Sequence, residues 1–351
     1  TPLAARHHVV RHSQSKPYPS RVALVTSAVL ACALGACSVE RFAVGRIGDA
    51  LSESGSTYAR DDDPELVRAA APFSLKLIES LLEKDPEHAG LLLAAARGFT
   101  QYAYAFVQQD ADRLEDSDLA RSRELQLRAR GLYHRARVYG LRGLEVRHAG
   151  FRECFDDDPH TALADTRKED VPLLYWTAAS WALELALSKD DPEALLGLPQ
   201  VEALVDRALE LDEAWENGSI HAFLVSYEAS RPGAQREWMG RARQHFERAI
   251  ELSRGLRAAP FVAFAEAVPL KQQDQRAFED LLGRALAIDV AKDPDARLEN
   301  EIARARARWL LSRESELFLD EPPADDGAPA ATGAGAVDTK PAAATLPGKQ
   351  P

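Results

Sequence analysis

Histidines, cysteines and paired acids are the residue types that most often do chemistry, and this 351-residue sequence holds nine histidines and three cysteines. His7, His8 and His12 fall in the first 36 residues. The remaining six, His88, His134, His148, His160, His221 and His245, show no i,i+4 pairing that would turn two imidazoles toward one metal ion from a helix face. Asp61-Asp62-Asp63 and Asp156-Asp157-Asp158 resemble calcium ligands in type, but they lack the alternating spacing, the glycine and the closing glutamate of an EF-hand loop. The sequence has no H-E-x-x-H, G-x-S-x-G, Walker or C-x-x-C motif and no dinucleotide fingerprint. What remains for catalysis is His221, inside Trp215-Glu216-Asn217-Gly218-Ser219-Ile220-His221, with Glu216 or Glu266 as an acid partner for a hydrolytic reaction. A lone helical histidine is more often packed than catalytic, so the residues point to a protein that is not an enzyme and needs no metal or cofactor.

Recognition chemistry is better represented. Phe99, Tyr102, Tyr104 and Phe106 sit among alanines, Tyr175, Trp176 and Trp181 share one segment, Phe223 and Tyr227 follow His221, and Phe261 and Phe264 precede Pro269. Rings at helical spacing fit a core, and rings beside small alanine faces also fit a cleft. On the second reading the ligand candidates are Gln101, Tyr102, Phe106, Trp176, Trp181, His221, Phe264, Glu266 and Lys271, with the polar members orienting a ligand held by the rings.

Helices must position these residues, because helix formers dominate the composition and β-branched runs are scarce. Arg207-Ala208-Leu209-Glu210-Leu211-Asp212 returns as Arg248-Ala249-Ile250-Glu251-Leu252-Ser253 and again as Arg284-Ala285-Leu286-Ala287-Ile288-Asp289. The intervals of 41 and 36 residues are close to the period of roughly 34 of a tetratricopeptide helix pair. The alanine lets two helices approach while Leu or Ile fills the gap, so the fold is expected to be all-α, built of stacked antiparallel helical hairpins as in a TPR-like α-solenoid. Asp63-Pro64, Asp85-Pro86, Asp158-Pro159, Asp191-Pro192 and Asp293-Pro294 read as helix starts, with Asp as N-cap and Pro at N1. Helices are predicted near 64–84, 87–109, 117–148, 171–188, 193–211, 215–229, 233–254, 258–268, 274–288 and 295–318, with another at 39–52 and a loop carrying a short turn at 149–170.

The segment 117–148 carries a heptad seam. Ser122, Ala129, Ala136 and Gly143 recur every seven residues, and Leu125, Leu132, Tyr139 and Val146 follow three later. Small and large rows of this kind suit close antiparallel packing in mid-array. Arg121, Arg128, Arg135 and Arg142 form one flanking row, and Arg123, Arg130 and Arg137 another. Two readings fit these rows: a basic surface for an anionic partner, and a solvated face paired with neighbouring acids.

The two ends differ from this body. Arg6, Arg11, Lys16 and Arg21 precede an apolar run to Ala36, and no acid occurs before Glu40, the pattern of a secretory leader over residues 1–36. The run closes on Leu34-Gly35-Ala36-Cys37, which resembles a bacterial lipobox, and makes Cys37 the expected lipidation site. Multiple acyl chains there would anchor a body, residues 37–320, that has no membrane-spanning segment of its own. Ser38 resembles outer-membrane rather than inner-membrane sorting. Loss of four leader cations takes the formal charge from −12 to −16, which argues against nucleic-acid binding. Cys32 leaves with the leader and Cys37 is the anchor, so Cys154 stands alone with no intrachain disulfide. Residues 321–351 are rich in Pro, Ala, Gly and Thr and are expected to be disordered.

Four strings resemble the T-component (TatT) family of tripartite ATP-independent periplasmic (TRAP) transporters: Gly98 to Gln108, Gly218-Ser219-Ile220-His221, Pro260 to Val268, and Arg306-Ala307-Arg308-Trp309-Leu310-Leu311. The likeness runs from about Arg46 to Asp320. It implies a periplasmic, lipid-anchored, helical accessory protein that forms a homotrimer. Its implied partner is an extracytoplasmic solute-binding protein, with a hydrophobic or organic-acid ligand passed between them. The resemblance supplies no binding residues, and the tail lies outside the family pattern. The alternative is an envelope scaffold lipoprotein that assembles other proteins and has no ligand cavity.

Replacing Cys37 by Ser removes the lipid acceptor. The variant is expected to leave the membrane fraction or keep its leader, whereas unchanged fractionation together with an unmodified wild-type N-terminus would contradict the anchor.

Overall fold

In a computed structural model the described residues are 55–229, 231 and 237–319. Cys37, the leader, the expected helix at 39–52 and the tail lie outside them. The described chain is all-α, without strands: α1 Gly55–Ala59, α2 Pro64–Lys84, α3 Ala89–Tyr102, a π-helical segment Ala103–Gln108, α4 Gln109–Leu114, α5 Leu119–Arg147, α6 Phe151–Asp157, α7 Pro159–Leu163, α8 Val171–Ala186, α9 Pro192–Leu195, α10 Leu198–Leu211, α11 Ser219–Tyr227, α12 Trp238–Leu252, α13 Ala259–Ala267, α14 Pro269–Gln272, α15 Gln275–Leu286, α16 Arg297–Ser312 and α17 Glu314–Leu317.

Three of the five Asp-Pro pairs cap as expected: Asp63 accepts from the backbone N–H groups of Glu65 and Leu66, Asp158 from that of Thr161, and Asp191 from those of Glu193 and Ala194. Two do not. Asp85 ends α2, and His88 takes over as the cap of α3 by accepting from the Leu91 N–H. Asp293 precedes a single 3-10 turn, Pro294–Ala296, without a side-chain cap. The predicted helix 87–109 is also interrupted, because the π-helical segment inserts between α3 and α4 and resets which side chains face inward. The expected loop at 149–170 holds α6, α7 and a 3-10 turn, with Phe151 and Phe155 buried and stacked at 4.9 Å.

Helix α5 lies against α3, α4 and α8. Ser122, Ala129, Ala136 and Gly143 are all buried, as the small row requires. The large row holds at Leu125 and fails at Val146, which is 39 % exposed. A straight helix drifts by about 20° per heptad, so Tyr133, Gly140 and Leu144 take over the buried face toward its end. The arginines of the first row are largely engaged by neighbours: Arg135 reaches Glu79 and lies over Phe99, and Arg142 donates to the Pro86 carbonyl. In the second row Arg137 pairs with Glu184 and covers Trp181. The alanines of the three repeated phrases, Ala208, Ala249 and Ala285, are buried at helix contacts.

Successive helices contact one another along the chain: α2 with α3, α8 with α10, α11 with α12, α13 with α15, and α15 with α16. The array does not stay open. α16 packs back on α1 and α2, and its Leu298 and Ile302 cover Val67, Ala105 and Phe106. Arg60 binds Asp295 at 2.6 Å across 235 residues of sequence. An inner row, α3, α8, α11, α13 and α16, follows from the contacts α3·α8, α8·α11, α11·α13 and α13·α16. The side that this row of helices shares is the inner face of the array.

Two glycines of α5 separate backbone propensity from packing. At Gly140 an added Cβ would stand 2.1 Å from Thr177 Oγ1 and 3.3 Å from its Cα, while at Gly131 nothing lies within 4 Å. Gly140→Ala is expected to lose about 1–3 kcal/mol by overpacking, and Gly131→Ala to gain about 0.5–1 kcal/mol by helix propensity. Urea denaturation of the two variants should give opposite signs.

Candidate functional site

The inner face carries two adjoining groups of side chains. In the first, Tyr175 from the start of α8 is packed by Trp215 at 4.7 Å, Trp176 at 5.0 Å and Phe223 at 6.1 Å. Arg97 of α3 stands 5.9 Å from the Trp176 ring and places Nη1 3.8 Å from Glu216 Oε1. Glu216 belongs to the turn between α10 and α11, where it (φ 44°) and Asn217 (φ 57°) both adopt the left-handed region ahead of Gly218 (φ 90°). A Cβ at Gly218 would meet Leu252 Cβ at 3.0 Å, so the turn needs glycine for both conformation and space. Burial pushes the Glu216 carboxyl up and Glu299 adds to this, while Arg97 and Arg257 oppose it. Arg257, in turn, is held by Asp293 and Glu299.

In the second group Arg306 of α16 joins two helices from opposite ends of the chain. Its Nη2 donates to Glu266 Oε1 of α13 at 2.7 Å and its Nη1 to Asp112 Oδ2 of α4 at 2.8 Å, with its guanidinium 4.3 Å from the Trp309 ring. Tyr104, displayed by the π-helical segment, is 43 % exposed. Its phenol is nevertheless pushed up to about 12 by desolvation, with Glu266 and Asp112 adding and Arg306 opposing. Tyr104 is thus a partly exposed phenol with charged groups of three helices around it. Tyr133 stands nearby and donates to Gln108 Oε1 at 2.5 Å. Cations, carboxylates and ring faces converging in low dielectric can fix the orientation of a small polar molecule.

The nine ligand candidates do not meet in one place. Trp176 lies in the first group and Glu266 in the second. Tyr102 lies where three core clusters join, and Phe106 is buried under Arg68 beside Leu298 and Ile302. Trp181 is buried under Arg137 next to Gly197, and Phe264 is stacked on Phe246 at 4.5 Å. Gln101 is exposed, and exposed Lys271 sits 4.6 Å from the Trp238 ring. Five of the inner-face residues, Arg97, Tyr104, Tyr175, Trp215 and Arg306, are absent from the candidate set. The available signals were the Trp215–Gly218 string and the Tyr175-Trp176 pair.

His221 is paired with His245, not with Glu216 or Glu266. Their Nδ1 atoms are 2.9 Å apart, so one ring donates to the other, and His221 Nε2 faces Glu213 Oε2 at 3.4 Å. His221 borders an open recess lined by Leu209 to Glu213. Among the described residues no group of three or more His, Cys, Asp or Glu side chains is arranged to hold a metal ion, and no helix is long and apolar enough to cross a membrane.

The sequence model of the family described as TRAP transporter T-component matches residues 60–318. A protein of Treponema pallidum (strain Nichols), described as uncharacterized, is 30 % identical over 285 residues, which cover 80 % of this chain and 88 % of the relative.

The histidine pair should make stability depend on pH. Desolvation lowers both imidazoles, with the His221 ring as a further cause for His245, which falls to about 4. Glu228 and Glu213 pull the other way, and Arg231, Arg241 and Arg248 assist the lowering. Because the folded values lie below the unfolded one, the unfolded chain binds protons first. Stability is therefore full above about pH 6.5 and is lost as pH falls toward about 4. His245→Gln cannot titrate, so its loss of unfolding free energy between pH 7 and 4.5 should be smaller than that of the parent by about 2 kcal/mol. Equal losses in urea titrations would contradict this.

Proposed function

The chain belongs to the TRAP transporter T-component family, and from that premise we propose that it is a non-enzymatic accessory lipoprotein of a TRAP-type solute importer. In this reading Cys37 anchors it to a bacterial membrane, the outer one in preference to the inner, on the periplasmic side. The protein assembles as a homotrimer, docks the extracytoplasmic solute-binding protein of the importer, and receives a small solute on its inner face. The observation that carries the ligand part is the partly exposed Tyr104 beside Arg306, which Glu266 and Asp112 hold from two other helices. Holding charges in such a place costs stability that a surface ion pair would not. A face that keeps them is suited to binding.

The scaffold reading draws its support from the burial of Phe106, Trp181 and Phe264 in separate core layers. Exposed Leu66 and Phe73 on α2 also offer apolar contact area to a protein partner. One experiment divides the readings. The full chain and an extracytoplasmic solute-binding protein of a TRAP transporter are mixed and followed by light scattering after size exclusion. The transporter reading expects a trimer of this chain that takes up the solute-binding protein. If the two proteins elute separately at micromolar concentration and no TRAP genes lie beside this one, the scaffold reading replaces it.

A further inference from the structure

The Arg97–Glu216 pair differs from the other ion pairs of the inner face. Arg306 and Arg257 are each closed by two carboxylates. Arg97 has only Glu216, at 3.8 Å, beyond hydrogen-bond reach. Among the described residues neither the Arg97 guanidinium nor the Glu216 carboxylate makes a hydrogen bond, although each keeps about a third of its surface open (34 % and 38 %). Two charges thus stand side by side without completing each other. The backbone that presents Glu216 is strained, since two consecutive non-glycine residues hold positive φ, and strain of this kind persists only where the surrounding structure enforces it. Tyr175, Trp176 and Trp215 form an apolar wall beside the pair.

We propose that Arg97 and Glu216 are the two poles of a binding site for a free α-amino acid zwitterion. Its carboxylate lies on the Arg97 guanidinium, its ammonium on the Glu216 carboxylate, and its apolar side chain against Tyr175 and Trp215. The two charged ends of an α-amino acid are one carbon apart, so they present an acceptor and a donor side by side. That matches a donor and an acceptor standing 3.8 Å apart. A simple organic anion would gain Arg97 but face Glu216, and a simple amine would gain Glu216 but face Arg97, so each meets a repulsive neighbour. Only a ligand with both charges satisfies both poles. The inference rests on the reading that the inner face receives a solute, and it narrows the class of that solute.

The test compares three molecules with one side chain: L-leucine, 4-methylpentanoate, which lacks the ammonium, and 3-methylbutylamine, which lacks the carboxylate. Binding to the full chain is followed by calorimetry and by tryptophan fluorescence. Leucine is expected to bind at least about tenfold more tightly than either truncated analogue. Glu216→Gln and Arg97→Met should each remove that advantage, with Arg97→Lys losing less than Arg97→Met. Circular dichroism and melting temperature report whether the variants are folded, and Glu216→Gln, which is isosteric, keeps the test open if Arg97→Met is not. Equal affinity for leucine and 4-methylpentanoate overturns the zwitterion site, as does retention of leucine binding by folded Glu216→Gln. Failure of leucine and every other standard amino acid to bind at millimolar concentration also overturns it. If 4-methylpentanoate binds in that case, solute uptake on the inner face stands without the zwitterion.

Discussion

The contact of α16 with the first hairpin is the constraint on which the rest depends. Without it α2 and the π-helical segment would leave Val67, Ala105 and Phe106 facing water, and α16 would expose Leu298 and Ile302. Burying them together joins residues 194 positions apart at Arg306 and Asp112. A linear helical stack needs polar caps at both ends, and here each end serves as the cap of the other. Closure also brings α16 beside Tyr104, so that Arg306 acts on its phenol together with Glu266 and Asp112.

The buried and half-buried acids are balanced to different degrees. Glu228 is fully buried, but it accepts from Arg231 at 3.0 Å and from Arg241 at 2.5 Å. Buried Asp170 lies beside Arg147, 3.1 Å from His148 Nε2 and 2.8 Å from the Arg167 N–H; these partners hold its carboxyl below the usual range against the opposing effect of burial. Such pairs offset desolvation and fix the register between neighbouring helices. Asp112 and Glu216 show the opposite balance, with burial raising both despite nearby arginines. Asp206, which shares Arg231 with Glu228, is raised by burial too, so the raised acids are not confined to the inner face.

Most of the fold was legible because its signals are local. The repeated Arg-Ala-Leu phrase marks a helix contact wherever it occurs, and Asp-Pro marks a helix start at Asp63, Asp158 and Asp191. Closure was not legible, since Leu298 and Ile302 read as an ordinary buried stripe and their partner lies more than 190 residues away. The site was legible only in fragments. An aromatic at helical spacing, such as Phe264 or Trp181, looks the same whether it enters an inter-helix layer or lines the inner face. The π-helical turn adds an offset after Tyr102 that no spacing rule anticipates, and it leaves Tyr104 exposed while Phe106 goes into the core. Of the nine candidates, Trp176 and Glu266 stand beside Arg97 and Arg306. Arg97 is the one charge on the otherwise uncharged helix Ala89–Tyr102, and Arg306 enters the sequence only as part of the Arg306 to Leu311 string; the spacing of neither says which acid it meets.

The turn before α11 ties these levels together. Gly218 must be glycine because Leu252 and its own φ exclude a side chain. The same turn forces Glu216 and Asn217 into positive φ, and it swings Trp215 onto Tyr175 and Glu216 toward Arg97. A turn chosen for stability alone would avoid strained residues and a desolvated carboxylate, since each destabilises the fold. Closing the array brings α16, with Glu299, and the Arg257 segment near the same carboxylate. The strained turn therefore acts where the first, middle and last thirds of the chain meet, and the inner face depends on it as closely as on the closing helix.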